Sequence, residues 1–324
     1  MAIRLKDLTD CPELLSGGHR ACAGCTAPSV IRQFLLAAGK DTVVGCATGC
    51  MEVVTTIYPY TAWRVPFIHN AFENSAATIS GAEAAYNALR RRGRIPADKR
   101  INFIAMGGDG GTYDIGLQSL SGALERGHRM LYICYDNHAY MNTGIQRSGA
   151  TPKGAATSTA PAGKVHLGKE QHRKDLTAIV LGHNVPYLAQ AAPHNPRDLI
   201  AKVQRALEID GPTFINVLAP CHRGWRIKVE ESMAMARLAV ETCFFPLFEV
   251  DHGVWKISYK PKEKKPLVEW LKPQGRFAHL FKPGEGEAVL AELQAEVDRK
   301  WAELLECEAR SKARAEAAAN AQAS

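Results

Sequence analysis

Short apolar runs alternate with longer amphipathic stretches along most of this chain. Ile101–Met106 is an apolar run closed by Gly107 and Gly108, which predicts a buried strand followed by a tight turn. Asp114 then sits where a helix N-cap is expected, and Ile115, Leu117, Leu120, Ala123 and Leu124 predict a helix with one apolar face. Met130–Tyr135 predicts a second strand, ending in Asp136, Asn137 and His138. Thr213–Leu218 and Ala178–Leu181 read as further strands, with an amphipathic helix over Pro196–Leu207 between them.

The flanks follow the same logic. Residues 1–20 predict an irregular arm. A helix begins near Pro28, with Val30, Ile31, Phe34, Leu35 and Leu36 on its apolar face, and a short strand follows Asp41. Tyr58, Tyr60 and Trp63, interleaved with prolines, predict a packed loop. His69 and Asn70 precede an alanine-rich helix, and His69 is assigned a structural role. Arg90 to Lys99 reads as an exposed basic connector. Residues 150–172, rich in small residues, Thr, Ser and Pro, predict a long loop. Lys164, His166, Lys169, His172 and Arg173 are expected at its solvent side.

Beyond Trp225 the pattern changes. A helix over Ser232–Thr242, two strands over Phe244–Val250 and Trp255–Tyr259, and short pieces at Val268–Leu271 and Phe277–Phe281 are expected. From Glu285 a terminal helix carries Val289, Leu290, Leu293, Val297, Trp301, Leu304 and Leu305 on one stripe, and its Ala-rich end is expected to fray. The expected organisation is therefore residues 1–225 as one ligand-binding domain and 226–324 as a C-terminal extension making subunit contacts. The alternation of strand and helix argues an α/β fold, a largely parallel sheet with helices on both faces.

Composition narrows the class. No uninterrupted apolar run approaches the ~20 residues of a membrane span, and the opening MAIRLKDLTDCPE has no apolar signal core, so a cytoplasmic protein is expected. The net charge of +7 suits an acidic protein partner or coenzyme A, but it is concentrated in two local runs, Arg90–Arg94 and 260–265, which read as solvated surface. No motif supports nucleic-acid binding.

Two constellations carry chemistry. Asp109, framed by Gly108, Gly110 and Gly111, stands at a strand's carboxyl end, where open α/β sheets bind ligands. With the amide of Asn137 and the backbone carbonyl of Ala139 it offers oxygen ligands to a hard cation such as Mg²⁺, and a diphosphate would complete the shell. The second constellation is sulfur. Of the nine cysteines, Cys22 and Cys25 form a C-x-x-C, and Cys46 and Cys50 flank a glycine turn. Cys221 follows the 213–218 strand. Spacing alone leaves iron–sulfur, zinc, a redox dithiol and plain buried thiols all open.

Gly108-Asp109-Gly110 with Asn137, 28 positions after the aspartate, resembles the thiamine-diphosphate motif. GDGGTYDIG and DNHAYMNTGIQRSGATPKGA resemble the β subunit of the pyruvate:ferredoxin oxidoreductase (2-oxoacid:ferredoxin oxidoreductase) family over about residues 15–225. That resemblance implies the thiamine-diphosphate-binding fold, with Asp109, Asn137 and Ala139 holding Mg²⁺ and Asn142 lining the cofactor's reactive end as a catalytic residue. ACAGC, ATGC-MEV and APC before R-G-W resemble the family's cluster ligands. Carried over one at a time, Cys22, Cys25, Cys50 and Cys221 would hold one 4Fe-4S cluster. Thr26 stands where Gly is common in the family and His222 where Pro is common, and Cys46 is the nearest impostor.

The implied reaction is oxidative decarboxylation of pyruvate with coenzyme A, giving acetyl-CoA and CO₂ and passing electrons to ferredoxin, a part of anaerobic metabolism. In the family that this chain resembles, a partner α subunit supplies the carboxylate that activates the cofactor's pyrimidine, and no Glu here can be assigned to that role, so the resemblance implies such a partner. The absent C-x₂-C-x₂-C-x₃-C-P runs imply a ferredoxin-like δ subunit beside a γ subunit. YPYTAWRVP and NTGIQRSGATP resemble the pyruvate type. The alternatives are another 2-oxoacid (2-oxoglutarate, branched, aromatic or oxalate), a cluster-free thiamine enzyme, and a non-catalytic zinc-stapled subunit.

Overall fold

The computed structural model describes residues 5–284 and 286–323. Its centre is an eight-stranded sheet in the order β2-β1-β3-β4-β6-β5-β7-β8. The strands are β1 Thr42–Ala47, β2 Phe67–Asn70, β3 Asn102–Gly108, β4 Leu131–Asp136, β5 Tyr187–Ala191, β6 Thr213–Leu218, β7 Phe248–Asp251 and β8 Val254–Ile257. The first six pair in parallel; β7 joins β5 antiparallel and forms a hairpin with β8. The helices are α1 Ala27–Ala38, α2 Cys50–Thr55, α3 Ser75–Arg91, α4 Leu117–Glu125, α5 Leu176–Leu181, α6 Pro196–Glu208, α7 His222–Trp225, α8 Ser232–Glu241, α9 Leu267–Leu271 and α10 Glu287–Ala323.

Strand side chains alternate between two cores, as the period of two demands. Ile104, Met106, Ile133, Tyr135, Ile215 and Val217 pack with α1 and α6 on one face. Phe103, Ala105, Tyr132, Cys134 and Phe214 pack with α3, α4 and α5 on the other. Both faces are covered, as expected. The chain leaves β1 for β2 on one side and returns through α3 to β3 on the other. The carboxyl ends of β1 and β3 therefore flank a topological switch point, the place where such sheets form a ligand crevice.

Several expectations change. Ala178–Leu181 is helical, not a strand: Asp175 caps α5 by accepting from the Ala178 N–H at 3.0 Å, and a four-residue apolar run carries no period to distinguish the two. The strand in that region is β5, which sequence reading passed over. The glycine pair 107–108 does not turn; β3 runs through both. Asp114 is not an N-cap. It lies inside a π-helical turn, Gly110–Ile115, and accepts from Gly149 N–H at 2.7 Å and Lys174 Nζ at 2.7 Å. Ile115 is exposed rather than core-facing. Tyr58 and Tyr60 project into solvent at 93% and 78% exposure; only Trp63 of that trio is packed.

The long loop runs from the end of β4 to α5 with only isolated bridges, yet it is pinned: Ala150, Thr151, Ala155 and Thr157 are buried. Lys169, expected at the solvent side, is buried and donates to the Thr151 carbonyl at 2.6 Å. Burial, then the charges of Arg147 and Arg173, pulls its pKa down to about 8. Arg173 is also mostly covered, paired to Asp136 at 2.6 Å.

The C-terminal elements extend the same sheet. α10 lays Leu293 and Val297 against α8, α9 and the 3₁₀ segment Gly275–Phe281, and Leu304 against the second face of the sheet. The stripe is thus core-facing. Glu285, where that helix was expected to begin, and Ser324 at its end lie outside the described residues. Helix runs to Ala323.

Glu308 fastens α10 to the edge of β8. Its carboxylate accepts from Ile257 N–H at 3.0 Å, Lys260 Nζ at 2.6 Å and Lys312 Nζ at 3.1 Å. Burial alone would raise its pKa, but these donors hold it down to about 2. A depressed carboxyl contributes stability above its ordinary value of 4.5, and that contribution fades as pH falls toward 2. Acidifying through that window is therefore expected to loosen the α10–β8 seam first. Hydrogen exchange at Ile257 should rise there, and Glu308→Gln should cost about 1–2 kcal/mol at pH 7 and flatten the acid dependence. An unchanged acid profile in the variant would assign the loosening to other groups.

Candidate active site at the carboxyl ends of the sheet

Three strand ends converge on one cleft. β1 delivers Thr48, Gly49 and Cys50; β3 delivers Gly108, Asp109, Gly110 and Gly111; β4 delivers Asn137 and Ala139, with Tyr140, Met141, Asn142 and Thr143 following. Every residue assigned from the sequence to the thiamine site therefore lines a single crevice at the β1/β3 switch point. Asn142 is exposed at its mouth, whereas Asp109 and Ala139 are buried. A methyl group on Gly110 would stand 2.4 Å from the Tyr140 ring, so only glycine lets the turn pass beneath that side chain.

Asp109 is fully buried. Ser148 Oγ donates to its Oδ2 at 2.5 Å, and the Asn137 N–H donates to Oδ1 at 3.2 Å. Burial, reinforced by the neighbouring Asp136 carboxylate, pushes its pKa well above the ordinary carboxylate range. The Asn137 amide lies 2.8 Å from Asp109 Oδ1 and 2.9 Å from the Ala139 carbonyl oxygen. With its nitrogen turned inward the amide donates to both. With its oxygen turned inward, three oxygens face one point, and a cation is what reconciles them. This donor set fits Mg²⁺, and the bare Gly108–Gly111 turn at the start of a helical segment fits a diphosphate.

Behind the oxygen site lies a charged layer that the sequence did not reveal. Asp136 accepts from Arg173 at 2.6 Å, Tyr113 Oη at 2.8 Å and the His138 N–H at 3.2 Å. His138 is buried at φ 71°, a left-handed conformation unusual outside glycine. Burial, then Arg276 and Arg173, holds its pKa well below the usual imidazole range, so the ring is neutral. Arg276, from the C-terminal region, donates to its Nδ1 at 3.1 Å. Neither Arg173 nor Arg276 carries a local motif, and both reach the site from distant sequence.

The cysteines gather beside the cleft. Cys22 and Cys25 form a turn closed by the Cys25 N–H donating to the Cys22 carbonyl at 3.0 Å. Gly24 within it has φ +75° and lies against the Val229 carbonyl, which a Cβ would approach to 2.4 Å. Thr26 Oγ1 donates to the Pro220 carbonyl at 2.9 Å, tying that turn to the loop of Cys221. Burial raises Cys25 to about 11 and Cys50 to about 12, and in each case Cys221 and Cys22 push further in the same direction. Cys221 is raised by burial, with Cys22 adding to it. All four sequence-assigned cysteines thus lie within electrostatic reach of one another. Cys46 faces the sheet core instead, its Sγ beside the Ala47 carbonyl.

Among the described residues, no three His, Cys, Asp or Glu side chains stand close enough to hold one metal ion. An amide and a carbonyl complete the oxygen site, and a cubane cluster holds its four thiolates farther apart than a single tetrahedral ion does. Four thiolates drawn from three loops match a cluster in chemistry.

The two departures beside the cysteines now have places. Thr26 is buried and makes the tie just described, which a glycine could not. His222 is buried with no partner for its Nδ1. His69, assigned a structural role, is exposed in β2, and its Nε2 is 2.8 Å from the hydroxyl of Thr48 at the cleft rim. No residue of 58–66 lines the cleft. No described helix is long and apolar enough to cross a membrane.

Three comparisons bear on this geometry. The thiamine pyrophosphate enzyme C-terminal TPP binding domain matches residues 43–217, which span β1 to β6. Pyruvate synthase subunit PorB of Thermotoga maritima is 53% identical over 297 residues, 91% of this chain and 92% of that one. Ketoisovalerate oxidoreductase subunit VorB of Pyrococcus abyssi is 46% identical over 267 residues, 82% of this chain and 85% of that one. Among solved structures, 2-oxoglutarate:ferredoxin oxidoreductase from Magnetococcus marinus superposes with a TM-score of 0.57 at 17% identity, over 87% of this chain and 97% of that one, a likeness of fold.

Proposed function

We propose, from the premise that this chain belongs to the PorB family of pyruvate synthase subunits and to the thiamine pyrophosphate enzymes, that it is the thiamine- and cluster-bearing subunit of a pyruvate:ferredoxin oxidoreductase. The observation that carries the reading is the adjacency of two sites: the oxygen donors of Asp109, Asn137 and Ala139, and the thiols of Cys22, Cys25, Cys50 and Cys221. Cys50 belongs to both, lining the cleft while sensing the other three thiols.

When bound, thiamine diphosphate supplies a nucleophilic carbon and an electron sink, and a 4Fe-4S cluster supplies a one-electron acceptor. The chain's own residues do the positioning. Asp109, Asn137 and the Ala139 carbonyl would hold Mg²⁺, and the glycine turn would take the diphosphate. Ser148 and the Asn137 N–H fix the Asp109 carboxylate in place. Asn142, exposed at the mouth, would hydrogen-bond the reacting 2-oxoacid. Tyr140 Oη donates to the Gly110 carbonyl at 3.1 Å and covers the turn, helping to exclude water. Among the described residues Asp109 is the one carboxylate lining the cleft, and it is committed to the metal, so a partner subunit supplies the group that serves the pyrimidine. Coenzyme A accepts the acyl group and ferredoxin the electrons. The division into residues 1–225 and 226–324, the latter meeting other subunits, belongs to the same reading.

A branched 2-oxoacid is the second reading, favoured by the 46% identity to a ketoisovalerate oxidoreductase subunit. The deciding experiment is the visible spectrum of the anaerobic complex, with coenzyme A and each oxoacid in turn. Brown iron–sulfur absorption that bleaches with pyruvate supports the main reading. Bleaching only with 2-oxoisovalerate or 2-oxoglutarate changes the substrate, and a colourless, zinc-containing complex removes the redox role of the cysteines.

A further inference from the structure

The loop that carries Cys221 and the loop that carries Asn137 touch through one side chain. Trp225 is fully buried. Its backbone N–H donates to the Cys221 carbonyl at 2.8 Å, which fixes it one helical turn after the cysteine. Its indole N–H donates to the Asn137 carbonyl at 2.8 Å. The His138 ring stacks on the indole at 5.0 Å and 14°, and the Arg276 guanidinium lies 4.3 Å from the indole centre while donating to that same His138. A Cβ on Gly224 would stand 2.1 Å from Met141 Sδ, so the cysteine loop also presses on the residue before Asn142.

These contacts have one consequence in common. The Asn137 carbonyl belongs to the peptide between the amide ligand and His138, whose strained φ leads into the Ala139 carbonyl. A buried carbonyl that loses its donor costs free energy, so the peptide turns to find another, and the oxygens on either side turn with it. We infer that Trp225 is a positioning residue that holds the cysteine loop and the thiamine loop in register, so that filling one site changes the other. This rests on the function proposed above. Linkage makes the coupling reciprocal: the factor by which cluster loading changes thiamine affinity equals the factor in the opposite direction.

Trp225→Phe keeps an aromatic ring in the stack, removes the N–H and leaves a small cavity where the rest of the indole lay; the thiamine-dependent potential is the readout that a loss of packing alone would not move. In the assembled anaerobic complex, two quantities are read: half-saturation by thiamine diphosphate with Mg²⁺, followed by thermal shift, and the cluster's midpoint potential, followed optically with and without thiamine diphosphate. The expected result is a half-saturation raised about fivefold to fiftyfold, together with loss of the difference in potential that thiamine diphosphate causes in the wild type. A folded variant in which either quantity stays at its wild-type value overturns the inference. Where Trp225→Phe does not assemble, Gly224→Ala pushes on the neighbouring contact between the same two loops, at Met141; a half-saturation and a thiamine-dependent potential difference both unchanged at full iron content overturn the inference equally. A wild-type complex lacking iron or any thiamine-dependent shift would instead overturn the proposed function, and the inference with it.

Discussion

Asp109→Asn is expected to abolish the response of the assembled complex to thiamine diphosphate and Mg²⁺ while leaving its unliganded stability equal or higher. The two halves have separate physical causes. The amide removes the one charged oxygen in a donor set otherwise made of an amide and a carbonyl. Outer-sphere substitutions already cost about 10–100-fold in metal affinity, so losing the charged ligand should cost at least ~100-fold. In the metal-free protein, however, Asp109 is fully buried near Asp136, and burial pushes its carboxyl toward the protonated state. A neutral amide relieves that cost rather than adding one. Ligand that binds only the folded state raises Tm by mass action. The check is therefore a thermal-shift titration: wild type climbs with thiamine diphosphate and Mg²⁺, whereas the variant starts level or above and stays flat. A variant that climbs normally would remove Asp109 from the metal site.

Cys22→Ser is expected to separate the two chemistries. Cys22 is exposed and absent from the cleft lining, so thiamine diphosphate should still bind, its half-saturation shifted only by the factor that couples the cleft to the cluster. The cluster should not persist. A serine hydroxyl is a poor substitute for a soft thiolate, and iron content and brown absorption should fall to background along with ferredoxin reduction. Cys46→Ala is the matching control. It removes a core thiol beside the Ala47 carbonyl, costs about 1 kcal/mol in stability, and keeps its iron. Iron retained in Cys22→Ser, or lost in Cys46→Ala, would redraw the ligand set.

Much of the fold was readable because parallel strands buried on both faces are continuous apolar runs. Ile101–Met106 and Thr213–Leu218 announce themselves that way. β5 did not: Tyr187–Ala191 is YLAQA, with a glutamine and two alanines, and its burial comes from β6 and β7 on either side rather than from its own composition. Ala178–Leu181 failed for the opposite reason, a run apolar enough for a strand whose helical state is decided by the Asp175 cap just before it. The site was legible where a ligand type must occupy a fixed place, as with Asp109, Asn137 and the cysteines. Ser148, Arg173, Trp225 and Arg276 act by reaching across the fold, and nothing in the residues around them says what they touch. Trp225 sat within a motif already noted, yet its partner carbonyl lies 88 residues away.

The hydrogen bond from Thr26 to Pro220 bridges 194 residues of chain. The C-x-x-C turn is therefore synthesised early and waits as two bare thiols until β6 has been made, released and docked. Until Cys221 is made the proposed ligand set lacks its fourth thiol, and an interrupted chain would carry a C-x-x-C dithiol open to oxidation. On the proposed function, the four-thiolate set is complete only when Cys221 has docked, so cluster insertion would be a late event that reports a completed sheet.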